Sequence, residues 1–155
     1  MKLHVVAVGH RMPAWVKAGF EEYAARMPPE ARIELIEIKP ENRATANVTQ
    51  ALKREAARIE AALQPGWERV VLDEHGTPLS TIELSQKVKG WMAAGHDLAF
   101  IVGGADGLDG SLKAGVALRL SLSRLTLPHG LARVVLAEQL YRAVSIIYAH
   151  PYHRR

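Results

Sequence analysis

The chain has 155 residues, no cysteine, 48% hydrophobic and 23% charged residues and a formal net charge of +4. That suits one compact domain spanning 1–155 with a real core, and it excludes a disordered chain, a disulfide scaffold, a thiolate metal site and a cysteine nucleophile. The charge is uneven: Ser111 to Arg155 holds seven Lys or Arg against one acid, Glu138, while the first 110 residues hold 13 bases and 15 acids, so the C-terminal segment is expected to meet a polyanion.

Apolar runs bounded by turn residues alternate with segments of helical period, which predicts an α/β domain with a mostly parallel sheet and flanking helices. The first strand is expected over Leu3 to Val8. A helix follows Pro13, with Trp15, Val16, Gly19, Phe20 and Tyr23 at spacings of three and four, and Pro28-Pro29 ends it. Arg32 to Lys39 reads as the second strand. Asn47 to Leu63 repeats Val48, Leu52, Ala56, Ile59 and Leu63 on one face of a solvated surface helix that Pro65-Gly66 stops. The third strand is placed at Glu68 to Asp73, and Ser80-Thr81-Ile82-Glu83 is a capping box that opens a helix closed by Gly95. The fourth and fifth strands are placed at Asp97 to Val102 and Leu120 to Leu127. The last helix, His129 to Ala149, is apolar over most of its circumference and so is expected to be buried on most sides, one face on the sheet and the other on a second copy of the protein, with a buried core helix of a monomer as the alternative. Glu138 and Arg142 stand four apart in the order that favours an intrahelical ion pair. No stretch approaches 18 apolar residues and the N-terminus lacks a signal-peptide pattern, so the expectation is a cytoplasmic protein without a membrane span.

Ile101-Val102-Gly103-Gly104-Ala105-Asp106-Gly107-Leu108 follows a predicted strand, where open α/β sheets bind ligands, yet its glycines fit neither the Rossmann fingerprint nor the P-loop. By itself such a loop is equally a plain turn. The predicted fifth strand offers the hydroxyls of Ser123 and Thr126, and Asp73-Glu74-His75 makes a second polar strand end. Seven histidines raise the question of a metal, but Pro151 breaks the helix that would align His150 with His153, and no metal site is expected. The terminus His150-Pro151-Tyr152-His153-Arg154-Arg155 sets aromatic rings beside cations, a combination suited to stacking on bases and pairing with phosphates.

Several of these segments converge on one family. Met1-Lys2-Leu3 with Val6-Ala7-Val8-Gly9, the Val102-Gly103-Gly104 loop, Leu125-Thr126-Leu127-Pro128-His129, Glu138-Gln139-Leu140-Tyr141-Arg142-Ala143 and the His-Pro-Tyr-His-Arg terminus resemble the bacterial large-subunit rRNA pseudouridine N3-methyltransferases of the SPOUT class. The resemblance spans the chain, although the loop reads Gly-Gly-Ala-Asp-Gly where some members have Gly-Gly-Pro-Glu-Gly. It implies a C-terminal trefoil knot, which general topology rules would not favour. It also implies a homodimer that holds S-adenosylmethionine through Leu72, Gly103, Leu122, Ser123, Arg124, Leu125, Thr126 and Leu127. The substrate it implies is a pseudouridine of 23S rRNA in the assembled ribosome. Arg142 or Arg154 would stabilise charge on the base, His129 or His153 would assist proton removal, and Tyr152 would stack on the base. A non-catalytic ribosome-associated RNA-binding factor of the same fold is the main alternative, and an α/β enzyme using another nucleotide is disfavoured by the missing phosphate motifs.

Overall fold

A computed structural model describes residues 1–44, 47–150 and Tyr152. The elements run β1 (Lys2–Val8), α1 (Ala14–Ala24), β2 (Arg32–Ile38), α2 (Val48–Ala62), β3 (Glu68–Pro78), α3 (Thr81–Ala94), β4 (Leu98–Val102), β5 (Leu118–Ser121) and α4 (His129–Ile147). Among the described residues the five strands form one parallel sheet in the order β2-β1-β4-β3-β5. β1 and β4 are buried along nearly their whole length, because both faces of the sheet are covered. Period two then sorts their side chains. Val5, Ala7, Leu98, Phe100 and Val102 pack with Phe20 of α1, Leu84 and Val88 of α3, and Leu136, Leu140 and Val144 of α4. Val6, Val8, Ala99 and Ile101 turn the other way, onto Ala56 and Ile59 of α2.

Local signals explain most boundaries. Ser80 caps α3 by accepting from the Glu83 amide at 3.1 Å while Glu83 accepts from the Ser80 amide at 2.8 Å, and Gly95, at φ +78°, closes the helix in the left-handed region. Asn47 caps α2 by accepting from the Gln50 amide at 2.8 Å.

The structure corrects the sequence reading in four places. β5 ends at Ser121 rather than Leu127, because hydroxyls turn the chain: Ser121 donates to the Ser123 carbonyl at 2.9 Å, and Ser123 accepts from the Leu125 amide at 2.9 Å. β3 runs on to Pro78 instead of stopping at Asp73. Leu120 of β5 pairs with Leu72 and again, across an irregularity, with Thr77. Trp15 is 58% exposed, so the packing face of α1 is Val16 and Phe20. The inner face of α2 is Ala51, Glu55, Ala56 and Ile59, with Val48 exposed, because a carboxylate takes an inner position there.

α4 buries one face, Arg133, Leu136, Ala137, Leu140, Ala143, Val144 and Ser145, within the chain. Leu131, Val134, Val135, Ile146 and Ile147 are only half-buried and Tyr148 is exposed. None of the described helices is long and apolar enough to cross a membrane.

Candidate active site

The carboxyl ends of β3, β4 and β5 open into a cleft of about 680 Å³. Ligands of open parallel sheets lie at this end because the connecting loops diverge there. Three segments build its walls: Leu72–His75 within β3, Val102–Leu108 from the end of β4 onward, and residues between Leu122 and His129 leading from β5 into α4.

The glycine segment is a tight turn, with the Gly107 amide donating to the Gly104 carbonyl at 3.1 Å and Gly107 at φ +80°. Ala105 and Asp106 form its corner. A Cβ on Gly103 would lie 2.7 Å from the carbonyl carbon and oxygen of Gly107, so the turn closes only because that position has no side chain. Gly76 serves the neighbouring wall in the same way, since a Cβ there would come within 2.4 Å of the Arg119 carbonyl oxygen.

Apolar surface from Leu72, Val102, Leu120, Leu122 and Leu127 meets polar side chains that include Asp73, Glu74, Lys113, Thr126 and His129. Asp73 is bound by Arg119 at 2.7 Å, by Lys113 at 3.4 Å and by the His75 amide at 3.0 Å. Burial opposes its ionisation, but those donors outweigh burial and bring its pKa down to about 2. Glu74 accepts from the Thr126 hydroxyl at 3.2 Å, joining two walls.

His129 opens α4 at the cleft, and its Nδ1 is buried without a hydrogen-bond partner. One turn on, Arg133 is 1% exposed and donates to Glu37 at 2.8 Å and to the Gly9 carbonyl at 3.0 Å. Burial, and then the Arg133 charge, lower the pKa of His129 and favour neutral imidazole.

The sequence-derived site residues thus fall into two groups. Leu72, Gly103, Leu122, Ser123, Leu125, Thr126, Leu127 and His129 all line the cleft. Arg124 sits among them in sequence but is exposed and is not part of the lining. Arg142 and Tyr152 gather elsewhere, around Glu138. The Glu138 carboxylate accepts from Arg142 Nε at 2.9 Å, from the Tyr152 hydroxyl at 2.8 Å and from Gln139 at 2.7 Å. The Arg142 guanidinium lies 4.8 Å from the centre of the Tyr152 ring, a cation–π contact. Burial and then the Glu138 hydrogen bond raise the Tyr152 pKa, and despite its own burial Glu138 is held below the usual carboxylate range by these donors. His153 and Arg154 lie outside the described residues. Sequence reasoning did not single out Lys113 and Ala132 as cleft residues, and no local pattern marks them, because the topology alone brings them there.

The described residues contain no group of three or more His, Cys, Asp or Glu side chains placed to hold a metal. Leucine side chains, a glycine turn and several polar side chains together make a cleft of the size and mixed lining that small-molecule ligands occupy. Fold and cleft define an open α/β protein with its candidate ligand site at the carboxyl edge of a parallel sheet.

Comparison with known proteins narrows the class. A family model described as "Predicted SPOUT methyltransferase" matches residues 1–153, and the chain belongs to that family. It is 57% identical over 155 residues to a protein of Ralstonia pickettii, and likewise to one of Thiobacillus denitrificans. Each match covers 99% of both chains, and both proteins are named ribosomal RNA large subunit methyltransferase H. A crystal structure described as a hypothetical protein shares the fold at a TM-score of 0.52 and 13% identity, covering 94% of this chain and 68% of the other. As a SPOUT methyltransferase, the protein uses S-adenosylmethionine as methyl donor.

Proposed function

We propose that the protein methylates N3 of a pseudouridine in 23S rRNA of the assembled ribosome, in the cytoplasm, with the methyl donor bound in the cleft. Near full-length identity of 57% to proteins bearing the large-subunit methyltransferase name carries this reading. Leu72, Gly103 and the 122–127 segment would hold the donor through backbone groups and apolar contact, with Arg124 at its outer side. We infer that the chain here forms the trefoil knot. The connection from β4 to β5 must pass over β3, which lies between them in the parallel sheet, and β3 pairs twice with Leu120, which supports it.

S-adenosylmethionine supplies an electrophilic methyl group on a sulfonium. This chain's residues must aim the acceptor nitrogen at it, take the N3 proton and stabilise the ring's developing charge. His129, which lines the cleft and whose lowered pKa favours the neutral imidazole, would accept that proton; His153 is the other candidate. Arg142 and Arg154 would stabilise the charge, and Tyr152 would stack on the base.

His129 and Arg142 are 13 residues apart on one helix, roughly 20 Å along its axis at the usual rise. One chain therefore cannot bring both to one methyl group. A homodimer that packs the half-buried face of α4 on its twin would set one protomer's Arg142 and tail beside the other's cleft. The test is methyl transfer to ribosomes lacking the mark, with the modified position read by mass spectrometry; absence of transfer refutes the function. Refolded mixtures of His129→Ala and Arg142→Ala chains should recover activity that neither has alone, and a mixture as inactive as its parents would refute the shared site.

A further inference from the structure

Arg43, in the β2–α2 connection, joins two carboxylates from distant parts of the chain. On one side lies Glu55, an α2 residue whose side chain is 2% exposed. It accepts from Arg43 Nη1 at 2.8 Å, from Nη2 at 3.3 Å and from the Glu41 amide at 2.8 Å. On the other side Arg43 Nε donates to Asp106 at 2.8 Å. Asp106 is the corner of the glycine turn and lines the cleft.

Glu55 is buried, bonded in three places and carried by a packed helix, so it is a fixed post. A buried carboxylate of this kind is tolerated only with such a partner, which holds the guanidinium in one orientation. The planar fork then leaves Nε directed at Asp106, so the corner of a glycine-rich turn is referred to the rigid α2 layer. Glycine turns have little side-chain packing of their own, and Ala105 and Asp106 are both exposed.

We propose that Arg43 is a positioning residue for the methyl-donor site, fixing the Gly103–Gly107 turn through Asp106 from an anchor on Glu55. This rests on the reading that the cleft holds the donor. Losing the latch lets the turn sample other conformations, so donor affinity falls while the chemical step, once the donor is bound, is unaltered.

The experiment is calorimetric titration of the full-length protein with S-adenosylmethionine, together with steady-state methyl transfer to ribosomes. Arg43→Met and Asp106→Ala should each raise the donor Kd and KM roughly three- to tenfold, leaving kcat at saturating donor within about twofold. Arg43→Lys, which can hold one carboxylate but not both, should fall between. The double variant should be no worse than the poorer single variant, because both remove one latch; additive losses would mean that Asp106 contacts the donor independently and would overturn the proposal. Arg58→Gln removes ion pairing to Glu41, with no contact to the turn, and should leave donor binding unchanged. Should Arg43→Met fail to fold with Glu55 unpaired, Arg43→Lys and Asp106→Ala decide the matter, and unchanged donor Kd in both refutes the latch. Gly103→Ala separates the two layers of inference: donor binding that survives it counts against the cleft itself, whereas loss there with no effect at Arg43 counts against the latch alone.

Discussion

Gly103→Ala is the smallest change that tests whether the cleft binds the donor. Its Cβ would sit 2.7 Å from the Gly107 carbonyl group and 3.0 Å from Leu108 Cγ. The first contact is with backbone, which cannot swing aside as a side-chain end could, so the turn must open by several tenths of an ångström. Forcing a methyl into such a space costs about 1–3 kcal/mol. The strain is released by moving Gly104–Gly107, the part of the cleft wall that is least braced by packing. If the donor needs that wall in place, the cost appears as lost affinity of roughly five- to 150-fold, with a smaller drop in thermal stability. Gly110→Ala is the matched control: its added methyl meets nothing within 4 Å. Titration with S-adenosylmethionine and thermal unfolding of both variants give the answer. Wild-type donor affinity in Gly103→Ala, with the fold intact, would refute the assignment.

Two other predictions concern charge. Asp73 has its pKa lowered to about 2 from an ordinary 3.8, so its contribution to stability, roughly 2 kcal/mol, is fully present above about pH 4 and is lost as pH falls towards 2. Urea unfolding at pH 6 and pH 3 should show Asp73→Asn much weaker than wild type at the higher pH and closer to it at the lower; an equal gap at both would contradict the assignment. Glu138→Gln leaves Arg142 and Tyr152 without their shared carboxylate, and kcat should fall about tenfold with donor affinity unchanged, as expected for a lost charged hydrogen bond of about 1.5 kcal/mol. An unaltered kcat would mean that this cluster does not organise the substrate side.

What was legible in the sequence was whatever period and caps encode. The Ser80 box fixed the start of α3 to the residue, and the continuous apolar runs of β1 and β4 announced strands covered on both faces. The 120–127 segment misled because alternating leucines and hydroxyls mimic a half-buried strand, whereas the hydroxyls of Ser121 and Ser123 are spent on a turn. The glycine loop, Asp73-Glu74-His75 and the 120–129 segment stood out as candidate strand ends, but Leu72 and the joining of these segments into one site came through family resemblance, since no spacing rule connects Leu72, Gly103 and Leu127. Arg43 stayed hidden for a plainer reason: its partners are 12 and 63 residues away, and nothing local distinguishes it from the other arginines of that surface.

The basic C-terminal segment needs a narrower reading than its total charge suggests. Of its seven cations, Lys113 and Arg119 are bound to Asp73, Arg133 is buried against Glu37, and Arg142 is paired with Glu138. Arg124 is exposed, and Arg154 and Arg155 lie in the terminal tail. These pairings hold four of the seven, so at most three are left to meet phosphate, and two of those are in the last two positions, outside the described residues. Phosphate contacts weaken with salt by a slope of about 0.7–0.9 per contact, so the segment should contribute roughly 2 to 3 per protomer to the logarithmic salt dependence of ribosome binding. Truncation after Ala149 should remove about two-thirds of that slope and abolish methyl transfer, while S-adenosylmethionine binding, which depends on the cleft, stays near wild type. Filter binding to ribosomes between about 50 and 200 mM salt measures the slope. If the truncated protein keeps the full slope, RNA is held by another face of the molecule; if it turns over at the wild-type rate, the tail has no part in the reaction.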